Sequence, residues 1–193
     1  MQQQAHYFLA LPLSPTMKGL LSNWREILEP KLQFKTWVHR EDYHITLAFL
    51  GHASFSQLNE LKSGIINVTK QHQIFELTLA GLGTFGKQDS PRIFWAGVLN
   101  SEPLRSLQFD ISNVVKNHGF QIDTRPFNPH ITMARKWNED KIFDFENIDK
   151  MVMPKEEVSS FIVENVVLYR THLQRVPKYQ PLTVFPLMED GKE

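Results

Sequence analysis

The feature that most constrains this chain is a spacing. YFLALPL and IFWAGVL share Phe-x-Ala, with Phe8 and Phe94 separated by 94 − 8 = 86 residues. Two His-Ile-Thr tripeptides start at His44 and His130, and 130 − 44 = 86. FELTL and FIVEN begin at Phe75 and Phe161, and 161 − 75 = 86. Each match is weak alone, but three segments in one order at one offset point to an internal duplication. The expectation is one domain over residues 1–193, made of two intertwined pseudo-symmetric lobes. A pseudo-twofold axis between them would bring both His-Ile-Thr strands to one central cleft.

Local patterns fill in the lobes. Tyr7–Leu13 reads as a buried strand, and Ser14-Pro15 as an N-cap followed by Pro at the first helical position. Met17, Leu20, Leu21, Trp24 and Leu28 then repeat at helical spacing up to Pro30. His44–Leu50 is a short strand closed by Gly51. Leu58, Leu61, Ile65 and Val68 mark a second helix, with Ser54 or Ser56 as its cap. Phe75–Leu82 alternates as a strand, with Gly81, Gly83 and Gly86 read as turn residues in the loop after it. Ile93–Leu99 is another strand. Ser101 caps a helix carrying Leu104, Leu107, Ile111, Val114 and Val115, which ends at His118-Gly119. His130–Ala134, Phe161–Leu173 and Tyr179–Leu187 are the remaining strands, and 137–157 is an acidic, irregular, solvated stretch. The class is α+β, with two antiparallel sheets flanked by helices around the cleft.

Composition narrows the chemistry. The 193 residues carry 21 Lys+Arg, 21 Asp+Glu, eight His and no Cys. Zero cysteines exclude disulfides, thiolate metal sites and Cys nucleophiles. Zero net charge argues against coating nucleic acid through bulk positive potential, though a local basic pocket is compatible with it. Histidine is the one side chain left whose unperturbed pKa lies near neutrality. No apolar run approaches the ~20 residues of a membrane span, and the N-terminus lacks the basic region of a signal peptide, so a cytoplasmic location is expected.

The tripeptides supply the proton carriers. Side chains alternate along a strand, so His44 and Thr46 share one face while Ile45 and Leu47 share the other. The same split holds for His130 and Thr132 against Ile131 and Met133. Each strand offers an imidazole and a hydroxyl to the cleft and anchors itself by apolar residues behind. Two imidazoles around one anion suit acid–base chemistry at phosphorus, with no metal or cofactor required if the protein stabilises the developing charge.

These motifs resemble the two-histidine phosphoesterase superfamily, which carries paired His-x-Thr-x motifs in a duplicated bilobal fold. Within it, the chain resembles the bacterial and archaeal RNA 2′,3′-cyclic phosphodiesterases, also called LigT-like or 2′-5′ RNA ligase-like. FLALPL near the start, HITLAFLG, FELTLAGLGTFG, RPFNPHITMAR, VVLYRTHL and FPL match in order over nearly the whole chain. The resemblance implies hydrolysis of an RNA 2′,3′-cyclic phosphate to a 2′-phosphomonoester, with 2′-5′ joining as the reverse reaction. It assigns His44 as the acid and His130 as the base, although the nearly identical motifs do not themselves separate the two roles. It assigns Thr46 and Thr132 to the phosphate oxygens. Arg135 is a further phosphate contact by resemblance, yet strict alternation places it on the opposite face, so a twist or bulge is required.

The partner expected is an RNA with a 2′,3′-cyclic phosphate end or a nucleotide cyclic phosphate, acted on by a monomer with no obligate protein partner and no membrane. A small sugar cyclic phosphate such as ADP-ribose 1″,2″-cyclic phosphate, a 2′-5′ oligonucleotide, or RNA-end binding without turnover are the alternatives. Phe49, the counterpart of Arg135 in the first motif, is expected in the core. Arg125 either positions the second motif or meets the RNA backbone. His39, His52 and His118 are expected to be solvated. Phe85, Trp37 and Trp137 are read first as packing and second as base-stacking surfaces at the rim. Lys35, Arg40, Lys87, Arg92, Lys136, Arg170 and Arg175 scatter near strand ends, where they can form a local basic funnel.

Overall fold

The computed structural model describes residues 5–138, 143–144, 148–152 and 159–189. Most of the acidic stretch expected over 137–157 lies outside them. The chain runs β1 (His6–Pro12), α1 (Pro15–Leu28), β2 (Phe34–Trp37), β3 (His44–His52), α2 (Phe55–Thr69), β4 (Phe75–Gly86), β5 (Pro91–Val98), α3 (Glu102–Asn117), β6 (His130–Trp137), α4 (Asp149–Val152), β7 (Ser160–Val163), β8 (Asn165–Thr171) and β9 (Tyr179–Pro186). The expected helices start where their caps lie. The Ser14 and Ser101 hydroxyls accept from the amides of Met17 and Leu104, and Ser54 forms a reciprocal capping box with Gln57.

Three details differ from the sequence reading. The polar segment after α1 contains β2 and a 3-10 turn over Arg40–Asp42. The stretch 161–173 is broken at Glu164 into β7 and β8. Gly81, Gly83 and Gly86 fall inside β4, not in a loop after it. Gly83 lies opposite Trp95, and a Cβ there would sit 2.2 Å from the indole ring. Close approach of that ring, not a turn, is what the glycine permits.

The strands form one antiparallel path in the order β7-β4-β5-β6-β3-β1-β8-β9, with β2 paired to β6. Two groups of strands, β7-β4-β5-β6 and β3-β1-β8-β9, are joined edge to edge. The ladder pair between them is Ile45 with Ile131. These two residues are themselves 86 positions apart. The β4–β7 ladder has the same property: Phe75 pairs with Val163 and Leu77 with Phe161. Exchanging each residue for its counterpart at that offset turns one of these pairs into the other. The Phe8–Phe94 match does not follow this rule. Leu9 faces Ala48 and Phe94 faces Ala134, so the ladder aligns Phe94 with Leu9, one position on. Phe8 therefore lies against His44 in the cleft, whereas Phe94 packs against Phe34 and Trp37 in the core.

Ile45, Leu47, Ile131 and Met133 lie behind the cleft, in a core that also takes Leu21, Leu28, Leu61, Ile65, Leu104 and Ile111 from the helices. Ile131 is fully buried at the junction of the two strand groups. Ile131→Ala is expected to lose about 2–5 kcal/mol, the usual range for truncating a buried large aliphatic side chain. Urea unfolding measures this, and a loss below ~1 kcal/mol would mean that the junction is not close-packed.

Candidate active site

The site begins with the Ile45–Ile131 pair. Continuing that antiparallel register sets His44 opposite Thr132 and Thr46 opposite His130. The two histidines then sit on the diagonal, a separation of roughly 7–8 Å between backbones. His44, Thr46, His130, Thr132 and Arg135 are all partly accessible, while Ile45 and Ile131 are fully buried. The alternation expected for both tripeptides is present.

Arg135 reaches this face through a bulge. On β6, Thr132 faces Trp95 and Ala134 faces Phe94, so Met133 is an extra residue. The burial pattern shows it, with Met133 and Ala134 both buried in succession and Arg135 returning to partial exposure. β3 carries the matching bulge. Thr46 faces Ala10 and Ala48 faces Leu9, leaving Leu47 extra, and 133 − 47 = 86. Phe49 is turned outward in the same way. Its expected place in the core is wrong, since it is 65% exposed and its ring lies 6.0 Å from that of Phe8. A bulge exchanges the faces of everything after it, and simple alternation does not register that change.

Both imidazoles are oriented by the main chain two residues earlier. Nδ1–H of His44 donates to the Asp42 carbonyl at 2.7 Å, and Nδ1–H of His130 donates to the Asn128 carbonyl at 2.8 Å. In the neutral ring this leaves Nε2 with a lone pair. The Thr46 hydroxyl, 3.1 Å away, donates to Nε2 of His44. Burial pushes His44 down from 6.5 to about 4; the bond to the Asp42 carbonyl opposes this, and the Arg135 cation and His130 add to it. His130 is also lowered, chiefly by burial and further by Arg135, against the pull of the Asn128 carbonyl. Arg135 thus acts electrostatically on both rings, as a residue on the same face must.

Aromatic rings wall each histidine. Phe8, Tyr179 and Tyr169 lie 4.9, 5.1 and 6.2 Å from His44. Phe85 meets His130 edge-on at 4.8 Å, with Trp95 at 6.3 Å. These rings displace water from the imidazoles and account for the desolvation. The sequence reading placed Phe85 first in packing and left Tyr169, Tyr179 and Trp95 aside; for Trp95, its place between the buried Phe94 and Ala96 on β5 was the available signal. Trp37 and Trp137 pack on Phe34, as expected. Arg125 pairs with Asp123 on the exposed approach to β6. His52 is exposed, whereas His39 caps the 3-10 turn by accepting from the Glu41 amide. His118 is half-buried, its ring bonded to the Val114 carbonyl, and is not solvated as expected. Among the described residues, no group of three or more His, Asp or Glu is arranged to hold a metal ion. Nor is any helix long and apolar enough to cross a membrane.

An antiparallel fold that pairs two His-x-Thr strands edge to edge is the architecture expected of the two-histidine phosphoesterases. The model of the 2′-5′ RNA ligase superfamily matches residues 19–175, and the chain belongs to that superfamily. The RNA 2′,3′-cyclic phosphodiesterase of Geobacillus stearothermophilus is 41% identical over 192 residues, covering 98% of this chain and 60% of that protein. This chain therefore spans less than two thirds of that relative's length. The Bacillus subtilis protein of the same name is 31% identical over 182 residues, covering 94% and 96%. The crystal structure of Escherichia coli LigT complexed with 3′-AMP superposes with a TM-score of 0.77 at 24% identity, covering 96% and 99% of the two chains. That of TT0787 from Thermus thermophilus gives 0.79 at 23%, again covering 96% and 99%.

The lowered histidines make stability depend on pH. The unfolded chain binds more protons between pH 6.5 and about 4, so the His44 contribution is complete above 6.5 and is lost as pH falls towards 4. The melting temperature of the wild type should therefore fall more between pH 7 and about 4.5 than that of His44→Ala. Equal falls would show that His44 is not held neutral by burial.

Proposed function

We propose that this chain is an RNA 2′,3′-cyclic phosphodiesterase that opens the cyclic phosphate to a 2′-phosphomonoester by acid–base catalysis between His44 and His130. The observation that carries the reading is the meeting of two His-x-Thr faces across Ile45 and Ile131, with Arg135 turned to the same side. The curated relatives bearing that activity in their names support the substrate class. The two strand groups are read as duplicated lobes, each contributing one half of a single site. Both halves come from one chain, so a cytoplasmic monomer suffices.

The chemistry follows from the geometry. His130 Nε2 takes a proton from water as the water oxygen bonds to phosphorus. The P–O3′ bond breaks, and His44 Nε2–H protonates the departing 3′ oxygen. Thr46, Thr132 and Arg135 hold the non-bridging oxygens as charge builds on them. Before substrate enters, His44 is neutral in all but roughly one molecule in 10³ at pH 7, given its value of about 4. The phosphodiester anion favours the imidazolium by pairing with it, so the acid gains its proton together with the substrate. When a 5′ hydroxyl takes the place of water, the same steps bond its oxygen to phosphorus, break the P–O3′ bond and leave a 2′-5′ linkage beside a free 3′ hydroxyl; the reverse of that reaction restores the cyclic phosphate.

His44→Ala and His130→Ala should each lower turnover of an RNA with a 2′,3′-cyclic phosphate end by at least about 10²-fold while remaining folded. Near wild-type turnover in either variant sinks the mechanism. The product should carry a 2′-phosphate, and EDTA should leave the rate unchanged. A loss restored by a divalent ion would argue for different chemistry. Comparing kcat/KM for oligonucleotide, mononucleotide and sugar cyclic phosphates tests the substrate class, and preference for a sugar would overturn RNA as the substrate.

A further inference from the structure

Asp42 is one of two buried polar residues among those described, the other being Thr69. A buried carboxylate demands partners, and its partners are 136 and 137 residues away. The amide of Lys178 donates to both of its oxygens, at 3.0 and 2.9 Å, and the amide of Tyr179 donates to Oδ1 at 3.0 Å. These amides open β9, where the Lys178 carbonyl also accepts from the His172 amide to close the β8–β9 hairpin. Asp42 ends the 3-10 turn, which is held to α1 by the Lys18–Glu41 ion pair. Its own carbonyl is the acceptor that orients His44.

Tyr179 connects this clamp to the reacting groups. Its ring stands perpendicular to His44 at 5.1 Å and nearly so to Phe8 at 4.9 Å. Its hydroxyl feels the Arg135 guanidinium, which belongs to the other strand group and opposes the rise that burial gives the phenol pKa. One side chain thus covers the proposed acid and is coupled electrostatically to the proposed phosphate-binding cation. Its backbone is fixed by a carboxylate whose residue also fixes the acid.

We propose that Asp42 is a positioning residue for the phosphodiester reaction, acting through Tyr179: the carboxylate seats the start of β9 so that Tyr179 shields His44 from water and holds Arg135 towards the phosphate. The inference rests on His44 and Arg135 having the roles proposed above. Loosening β9 admits water to His44, and since burial is the main cause of its low pKa, that pKa rises towards its ordinary value. Arg135 also loses its neighbour, so the phosphate is held less well at the moment of charge development.

The test uses the full chain with Asp42→Asn, Tyr179→Phe and the double variant, assayed on a cyclic-phosphate RNA. Asp42→Asn keeps the shape but replaces one acceptor oxygen with a donor that faces an amide. It should lower kcat by about 10- to 100-fold, the scale of misplacing a catalytic group, with KM within about threefold of wild type. The His44 ring, titrated by NMR, should show a higher pKa than in the wild type. Tyr179→Phe should lower kcat by at least about fivefold, because the contact with Arg135 is gone. In the Tyr179→Phe background, Asp42→Asn should cost clearly less than it does alone, as expected for residues acting in series. A lower melting temperature with unchanged kcat and unchanged His44 titration would make Asp42 merely structural and overturn the proposal. Additive losses together with an unchanged His44 titration in Asp42→Asn would show that it acts through neither the hydroxyl nor the ring of Tyr179. If Asp42→Asn fails to fold, Tyr179→Phe still decides, because full activity in it removes the link to Arg135. Activity surviving in His44→Ala would instead defeat the parent mechanism, an outcome that these variants do not imitate.

Discussion

The whole site depends on Ile45 meeting Ile131. That pair is the point at which two groups of strands become one sheet, and it lies between the histidine and threonine of each motif. Burying the two isoleucines therefore fixes the polar residues on either side without any direct bond between them. An apolar contact sets the register, and register sets the chemistry. β6 then leaves β3 and continues along β2, where Trp37 faces Ala134 and Thr36 faces Arg135. The strands stay together only long enough to juxtapose four side chains.

The two imidazoles are matched in orientation and unequal in environment. Each is held by a carbonyl two residues back, so the main chain selects the tautomer. The surroundings differ: His44 is closed in by Phe8, Tyr169 and Tyr179, while His130 is flanked by Phe85 and Trp95. Trp95 has room only because Gly83 crosses beneath it. The ladder places Tyr169 opposite Phe8 and Phe85 opposite Ile93, which makes Tyr169 and Phe85 counterparts. Matching ladder positions thus carry unlike walls, and such inequality is what the two proton-transfer roles proposed above would need.

Much of this was legible in the sequence. The caps, the helices and both His-x-Thr faces follow from local chemistry and short periodicities. The offset of 86 foreshadowed the junction pair itself. What was missed has a common cause. Alternation carried past a bulge put Phe49 in the core, whereas for Arg135 the need for a bulge was already legible; matching Phe8 with Phe94 ignored a one-residue shift that only pairing partners reveal. Gly83 read as a turn because nothing local announces an indole from the next strand. Asp42 gave no signal, since its carboxylate answers amides more than 130 residues away. Contacts made by folding, not by spacing, are invisible until the partner is known.

The twin bulges at Leu47 and Met133 carry a consequence for how such a chain tolerates change in length. Each is a single uncounted residue that reverses inside and outside for the positions after it, up to a second register shift past Phe49 in β3. Deleting Met133 would return β6 to plain alternation, sending Arg135 into the oily interior and Ala134 into the cleft. Deleting Leu47 would bury Phe49 in the same manner. Loops elsewhere can grow or shrink at little cost, but these two strands are read like a ruler, and one lost graduation inverts the side chains next to it.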